Sequence, residues 1–116
     1  MSLIKFKGLY LTLLLALLIL FLSLKPASEV DAKLLISDKL LHLFAYCLMV
    51  LPVSLERIFP HFSVFLFALA YGGCIELIQP FTGREADTMD FVANAAGIIL
   101  GIIFARVLIL IFKVQT

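Results

Sequence analysis

Glu76, Asp87, Asp90 and Asn94 stand inside or at the borders of long apolar runs, within residues 71–94, which read YGGCIELIQPFTGREADTMDFVAN. A charge carried into hydrocarbon costs several kcal/mol, so ionisable side chains there are held by a partner or serve a function. Carboxylates, an imidazole and cations brought together can engage a phosphate-bearing headgroup, share a divalent metal or move a proton. His42, with Asp38, Lys39 and Tyr46 beside it, lies on an earlier apolar run. The chemistry depends on whether the chain folds these groups to one place.

Composition says which kind of fold must do that. The chain has 116 residues, 64% hydrophobic and only 15% charged, with a mean hydropathy of +1.19. Soluble globular domains are about half apolar and one-quarter charged. A lipid-embedded chain of this length holds about four spanning helices, since each needs about 20 residues to cross about 30 Å of hydrocarbon at 1.5 Å per residue. The expected fold class is all-α, a transmembrane four-helix bundle forming a single integral-membrane domain over residues 1–116. The formal net charge is +1 and no Lys/Arg cluster alternates with aromatics, which gives a nucleic-acid partner no support. Cys47 and Cys74 lie in apolar runs, with neither a second Cys nor a His at ligand spacing. Neither a disulfide framework nor a zinc motif is indicated, and both thiols are expected to be buried filler.

Four spans are expected, over residues 4–24, 38–55, 62–79 and 87–112. Lys5 and Lys7 before the first apolar run resemble a signal peptide, but the uncharged run from Gly8 to Leu24 is long for a signal core, and cleavage after Ala27 places Lys25 where a small residue is wanted. It is therefore read as the first spanning helix, ended at Lys25-Pro26. Ser37 or Asp38 can cap the second helix. Glu56-Arg57 and Pro60-His61 mark a tight turn, Pro80 stops the third helix, and Asp87 opens the fourth. No internal repeat or low-complexity tract occurs.

Direction of travel then decides where the polar residues go. If the second helix enters the membrane at Asp38, the third returns to that face at Gln79 and the fourth leaves from it at Asp87. Asp38, Lys39, His42, Glu76, Gln79, Arg84, Asp87, Asp90 and Asn94 must therefore gather near one leaflet. At about 100° per residue, Asp38, His42 and Tyr46 share a face of the second helix, and Gly72, Glu76 and Gln79 share one of the third. On the fourth, Asp87, Asp90, Asn94, Gly97 and Gly101 fall within an arc of roughly 80°, bordered by Ala93 and Ala105. Ala93, Gly97, Gly101 and Ala105 form a small-residue ladder that lets helix backbones approach, and the polar residues on the same face turn it inward.

The Lys/Arg count ties between the two sides. Arg106, snorkelling toward the C-terminal end, tips the expected orientation to cytoplasmic termini with the polar cluster on the outer face. Polar residues at helix ends can equally be interfacial residues and caps, the ordinary reading of Lys39 and Glu85. For His42, Glu76, Asp90 and Asn94, about a turn inside their spans, a mutually satisfied network competes with a functional pocket.

Three segments carry a resemblance: SDKLLHLFAY at 37–46, ELIQ at 76–79 and GREADTMDFVANAAG at 83–97. In that order they resemble the D-K-x-x-H-x-x-x-Y, E-x-x-Q and R-x-x-D-x-x-D-x-x-x-N-x-x-G elements of the VanZ-like proteins, over about residues 37–105. The resemblance implies a small bacterial integral membrane protein of the cytoplasmic membrane, in a family named for a member that lowers susceptibility to teicoplanin.

Three functions are expected to compete. In the first, the cluster engages an anionic lipid or a lipid-linked cell-envelope headgroup, with Arg84 pairing to phosphate, Lys39 adding a charge and the fourth helix offering its N-terminus; membrane lipids are then the partners. Glu76, Asp87 and Asp90 oppose phosphate unless protonated, paired or bridged by a divalent metal. In the second, His42, Glu76 and Asp90 are catalytic residues of a lipid-headgroup enzyme. In the third, the glycine ladder binds another membrane protein or a second copy of the chain. No cofactor is expected; a divalent metal stays open, but no ligand motif supports one.

Overall fold

The computed structural model describes residues 6–24, 38–83 and 88–112. Arg84 and Asp87, and the side chain of Asp38, lie outside the described residues. Helix α1 spans Lys7–Leu24, α2 Asp38–Glu56, α3 His61–Ile78, followed by a 3-10 turn at Gln79–Thr82, and α4 Thr88–Phe112. All four helices are long and apolar enough to cross a membrane. At 1.5 Å per residue an 18-residue helix spans about 27 Å. The fold is the expected all-α transmembrane four-helix bundle, and no strand occurs among the described residues.

Side chains are distributed for a lipid solvent. Phe67 and Leu110 are each 78% exposed, whereas Asn94 is 1% exposed, and Ser54, Glu76, Gln79 and Asp90 are buried with it. In water that exposed apolar surface would drive association. Lipid tails solvate it as well as another side chain does, so helix association must come from close packing and polar contacts.

The most extensive contact is between α2 and α4, with α1 packed on α2 and α3 on α4. From α2, Tyr46, Met49, Val50 and Val53 meet Ile98 of α4 and Val64 and Ala68 of α3 in the core. The spacing of these α2 residues keeps them on one helical face. Small residues let α4 come this close. A Cβ on Gly97 would stand 2.2 Å from the Leu43 carbonyl oxygen, and one on Gly101 2.6 Å from that of Cys47. Ala105 continues the seam, fully buried, and Ala93 is partly buried above it. The ladder therefore serves the contact between α2 and α4 of the same chain.

Polar contacts join the helices where the backbone lacks partners. Pro52 sits inside α2, where it removes a donor and disrupts the ladder. The next residue, Val53, donates its N–H to Thr12 Oγ1 of α1 at 3.1 Å, a form of repair that neighbouring helices supply in membranes. The Tyr71 hydroxyl donates to the Ala16 carbonyl, linking α3 to α1. Glu56 Oε1 accepts the Leu9 N–H at 2.9 Å. That N–H lies in the first turn of α1, where no intrahelical acceptor exists, and the carboxylate also faces the positive end of the helix dipole. Glu56→Ala is expected to cost about 1 kcal/mol, as loss of a helix cap does, read as a lower Tm in detergent micelles. Glu56→Gln, which keeps an acceptor oxygen, should lose less.

Two details depart from the sequence reading. The α-helix ends at Ile78, within a residue of the expected 79, but Pro80 does not break the helical path: the chain tightens into the 3-10 turn and leaves through Gly83 at φ 84°. Proline is tolerated there because the first N–H groups of a helical segment have no acceptor within it. Cys74 is exposed rather than buried, while Cys47 is partly buried. Phe67, Cys74 and Leu77 share the outward side of α3, and in hydrocarbon an apolar run gives no signal of which side faces lipid.

Successive helices run in opposite directions. At the end opposite the polar cluster, His61 Nδ1 accepts from Arg106 Nε at 2.9 Å, so His61 Nε2 carries the proton donated to the Ser54 carbonyl at 3.0 Å. These bonds tie the C-terminal part of α4 to the turn between α2 and α3. By exclusion, the start of α2, the end of α3 and the start of α4 meet at the other end.

Candidate polar site at one end of the bundle

At that end His42 comes from α2, Glu76 from the last turns of α3, and Asp90 and Asn94 from the first turns of α4. His42 Nδ1 lies 2.8 Å from Asn94 Oδ1. A carbonyl oxygen only accepts, so in the neutral imidazole the proton sits on Nδ1 and the Nε2 lone pair faces Asp90 Oδ2 at 3.8 Å. Lys39 Nζ approaches the other oxygen, Asp90 Oδ1, at 2.9 Å; the contact is a charge pair whose angles fall short of a good hydrogen bond. His42, Glu76 and Asp90 each offer an atom within 4.8 Å of the others.

Burial grades across the group. Asn94 is 1%, Asp90 4% and Glu76 9% exposed, while the Lys39 side chain is 43% exposed. The carboxylates therefore sit inside the bundle with an ammonium at their rim. Gly72 of α3 provides the flat wall: a Cβ there would lie 3.0 Å from Asn94 Nδ2 and 3.2 Å from Tyr46 Cε2. Tyr46, buried on α2, packs below the polar groups. Side-chain volume at residue 72 would displace the amide that orients His42.

Of the residues singled out in the sequence, Lys39, His42, Glu76, Asp90 and Asn94 come together, with Tyr46 against them. Gln79 does something different. It is fully buried, and its Nε2 donates to the Ser23 carbonyl in the last turn of α1 at 3.0 Å, clamping the first helix to this end. Gln79 Oε1 has no hydrogen-bond partner among the described residues. That clamp and the link from Glu56 to Leu9 show α1 tied in at both ends. The sequence reading missed this, because α1 contributes backbone groups, which carry no residue-type signal.

Chemically, the group combines a lone-pair nitrogen, two buried carboxylates and a wet cation. It can bind a cation, accept a proton, or, once its negative charge is compensated, hold an anion. The geometry brings together Lys39 and His42 of the first element, Glu76 of the second, and Asp90 and Asn94 of the third, which are widely separated along the chain.

No curated protein and no solved structure matches the chain at a significant level. The family described as VanZ/LLP1 matches residues 6–111, a span that covers α1, α2 and α3 and all of α4 but its last residue. The chain is thus a multi-pass membrane protein belonging to the VanZ/LLP1 family.

Proposed function

We propose that the protein binds the anionic headgroup of a membrane lipid, or of a lipid-linked cell-envelope precursor, at the polar cluster where α2, α3 and α4 converge. The supporting observation is the convergence of Lys39, His42, Glu76, Asp90 and Asn94 from three helices, with the charged end of Lys39 at the exposed rim. Lys39 offsets the buried Asp90 carboxylate, and its position at the exposed rim also leaves it open to a headgroup, whose charge enters from the interface while its tails stay in lipid. The cluster lies on the outer side of the bacterial cytoplasmic membrane in this reading, with both termini inside. Through binding of a cell-envelope lipid it connects the chain to lowered susceptibility to teicoplanin-type glycopeptides.

The test compares lipids carried through purification by wild type and by the Lys39→Gln/Arg84→Gln double variant, both recovered as monodisperse helical protein. Wild type should retain anionic lipid at a defined ratio, and the double variant should lose most of it. Equal retention by the two proteins sinks the reading. Expression of each in a glycopeptide-susceptible host, scored by teicoplanin inhibitory concentration, tests the cellular consequence.

A catalytic role is the second reading, favoured by the His42 Nε2 lone pair facing a carboxylate. Phosphate or headgroup released from phospholipid or undecaprenyl substrates by wild type, but not by His42→Ala, would establish it. The third reading, association through the glycine ladder, loses its motive because Gly97 and Gly101 already face α2.

A further inference from the structure

We infer that His42, Glu76 and Asp90 form a three-ligand site for a divalent transition-metal cation, which supplies the positive charge that the headgroup site needs. The inference deepens the headgroup reading, and its last step rests on that reading; the cation site itself stands on the geometry.

The donor set carries the first argument. One imidazole nitrogen with two carboxylate oxygens suits zinc and its divalent neighbours, whereas magnesium and calcium favour all-oxygen surroundings. Three different helices supply the donors, so closing them around one ion also ties the bundle together. Metal–ligand bonds of about 2.1 Å in tetrahedral geometry place ligand atoms about 3.4 Å apart. His42 Nε2 and Asp90 Oδ2 are already 3.8 Å apart, and His42, Glu76 and Asp90 each offer a ligand atom within 4.8 Å of the others. Side-chain rotations that draw the donors in by about 1 to 1.5 Å complete the set. At 3.8 Å the nitrogen and oxygen are beyond direct hydrogen-bonding distance but suitably spaced for an ion between them.

The surroundings carry the second. Ligating imidazoles almost always donate their other N–H to an oriented acceptor, which fixes the tautomer and aims the lone pair at the metal. Asn94 Oδ1 does this for His42 Nδ1 at 2.8 Å, and Asn94 is itself held against Gly72. Lys39 takes Asp90 Oδ1, leaving Oδ2 turned toward the imidazole. The carboxylates are buried, and the partly exposed Lys39 stands at their rim.

Charge supplies the functional consequence. With a neutral imidazole, Glu76, Asp90 and Lys39 together leave one negative charge, which repels phosphate. A divalent cation changes this to one positive charge. Three protein ligands leave a coordination position open, and a phosphate oxygen can fill it with Lys39 alongside. No contiguous motif announces the site, because its ligands are one per helix.

The test uses the full chain in detergent, stripped with EDTA and desalted, then titrated with Zn2+ and in parallel with Co2+. Wild type is expected to keep about one Zn2+ per chain through gel filtration, as a three-ligand site does, to show the visible bands of low-coordinate Co2+, and to give zinc-edge absorption with nitrogen and oxygen but no sulfur neighbours. His42→Ala, Glu76→Gln and Asp90→Asn should abolish retention. Asn94→Ala should weaken binding roughly 10- to 100-fold, as loss of an orienting partner does. Glu56→Gln, altering a carboxylate at the opposite end, should leave it unchanged. Wild type that retains no zinc and gives no Co2+ bands overturns the inference whatever the variants do, and sulfur in the zinc shell does the same. Lipid retention measured before and after stripping separates the two ideas. Retention that survives stripping in a chain without zinc removes the cation and keeps the headgroup site. Stoichiometric zinc with no retained lipid keeps the cation and removes the headgroup.

Discussion

Gly97→Leu should abolish the folded bundle. Even the first carbon of the new side chain falls 2.2 Å from the Leu43 carbonyl oxygen, and that neighbour is α2 backbone, which cannot rotate away. The helices must separate, and with them go the α2–α4 contact and the bond between His42 and Asn94 that spans it. The expected loss is about 4 kcal/mol or more, in the range reserved for severe overpacking. It should appear as failure to recover monodisperse protein or as a collapse of Tm in micelles. Gly73→Ala is the matched control. Its Cβ would lie 3.2 Å from the edge of the Phe91 ring, a side chain that can give, and alanine improves helix propensity by about 1 kcal/mol over glycine. Its Tm should therefore stay close to that of wild type. A Gly97→Leu protein as stable as Gly73→Ala would mean that the α2–α4 seam is not the main packing contact.

Lys39→Met should destabilise the protein more than Asp90→Asn, although both remove the same ion pair. The reason is burial. Asp90 has a 6% exposed side chain and Lys39 a 43% exposed one. Without the ammonium, a carboxylate stays inside the bundle and bears a desolvation cost of about 1–3 kcal/mol. Without the carboxylate, the ammonium swings to the headgroup region, and a solvent-screened charge of that kind contributes only about 0–1 kcal/mol. The double variant should recover much of the loss, because the buried charge and its compensation leave together. Thermal unfolding of the three proteins checks the order. Equal Tm losses for the two single variants would place Asp90 in contact with water.

Much of the architecture was legible in the residues. Four long apolar runs separated by Lys25-Pro26, by Pro60-His61 and by the stretch around Gly83 led to four helices, because only helices satisfy every backbone group within one segment in lipid. Angular spacing also placed Asp90, Asn94, Gly97 and Gly101 on one side of α4, where burial and contacts now put them. Spacing could not say which helix that side meets. Nor could it foresee that Pro80 continues into a 3-10 turn, or that Cys74 faces outward, since propensity and hydropathy carry no information about a lipid-facing side.

What the sequence by itself determined is an all-α membrane bundle of four alternating helices, with His42, Glu76, Asp90 and Asn94 drawn to one end and a small-residue seam on the fourth helix. Periodicity and the cost of bare backbone in hydrocarbon suffice for that. Only the tertiary structure decided the pairings: α2 against the glycines of α4, Asn94 orienting His42, Lys39 taking one oxygen of Asp90, and Gln79 turning away to hold α1. These are relations between residues far apart in the chain, set by rotation and depth of one helix against another. Displacements of an ångström decide whether an imidazole and two carboxylates surround a common point, and no pattern along a single helix encodes them.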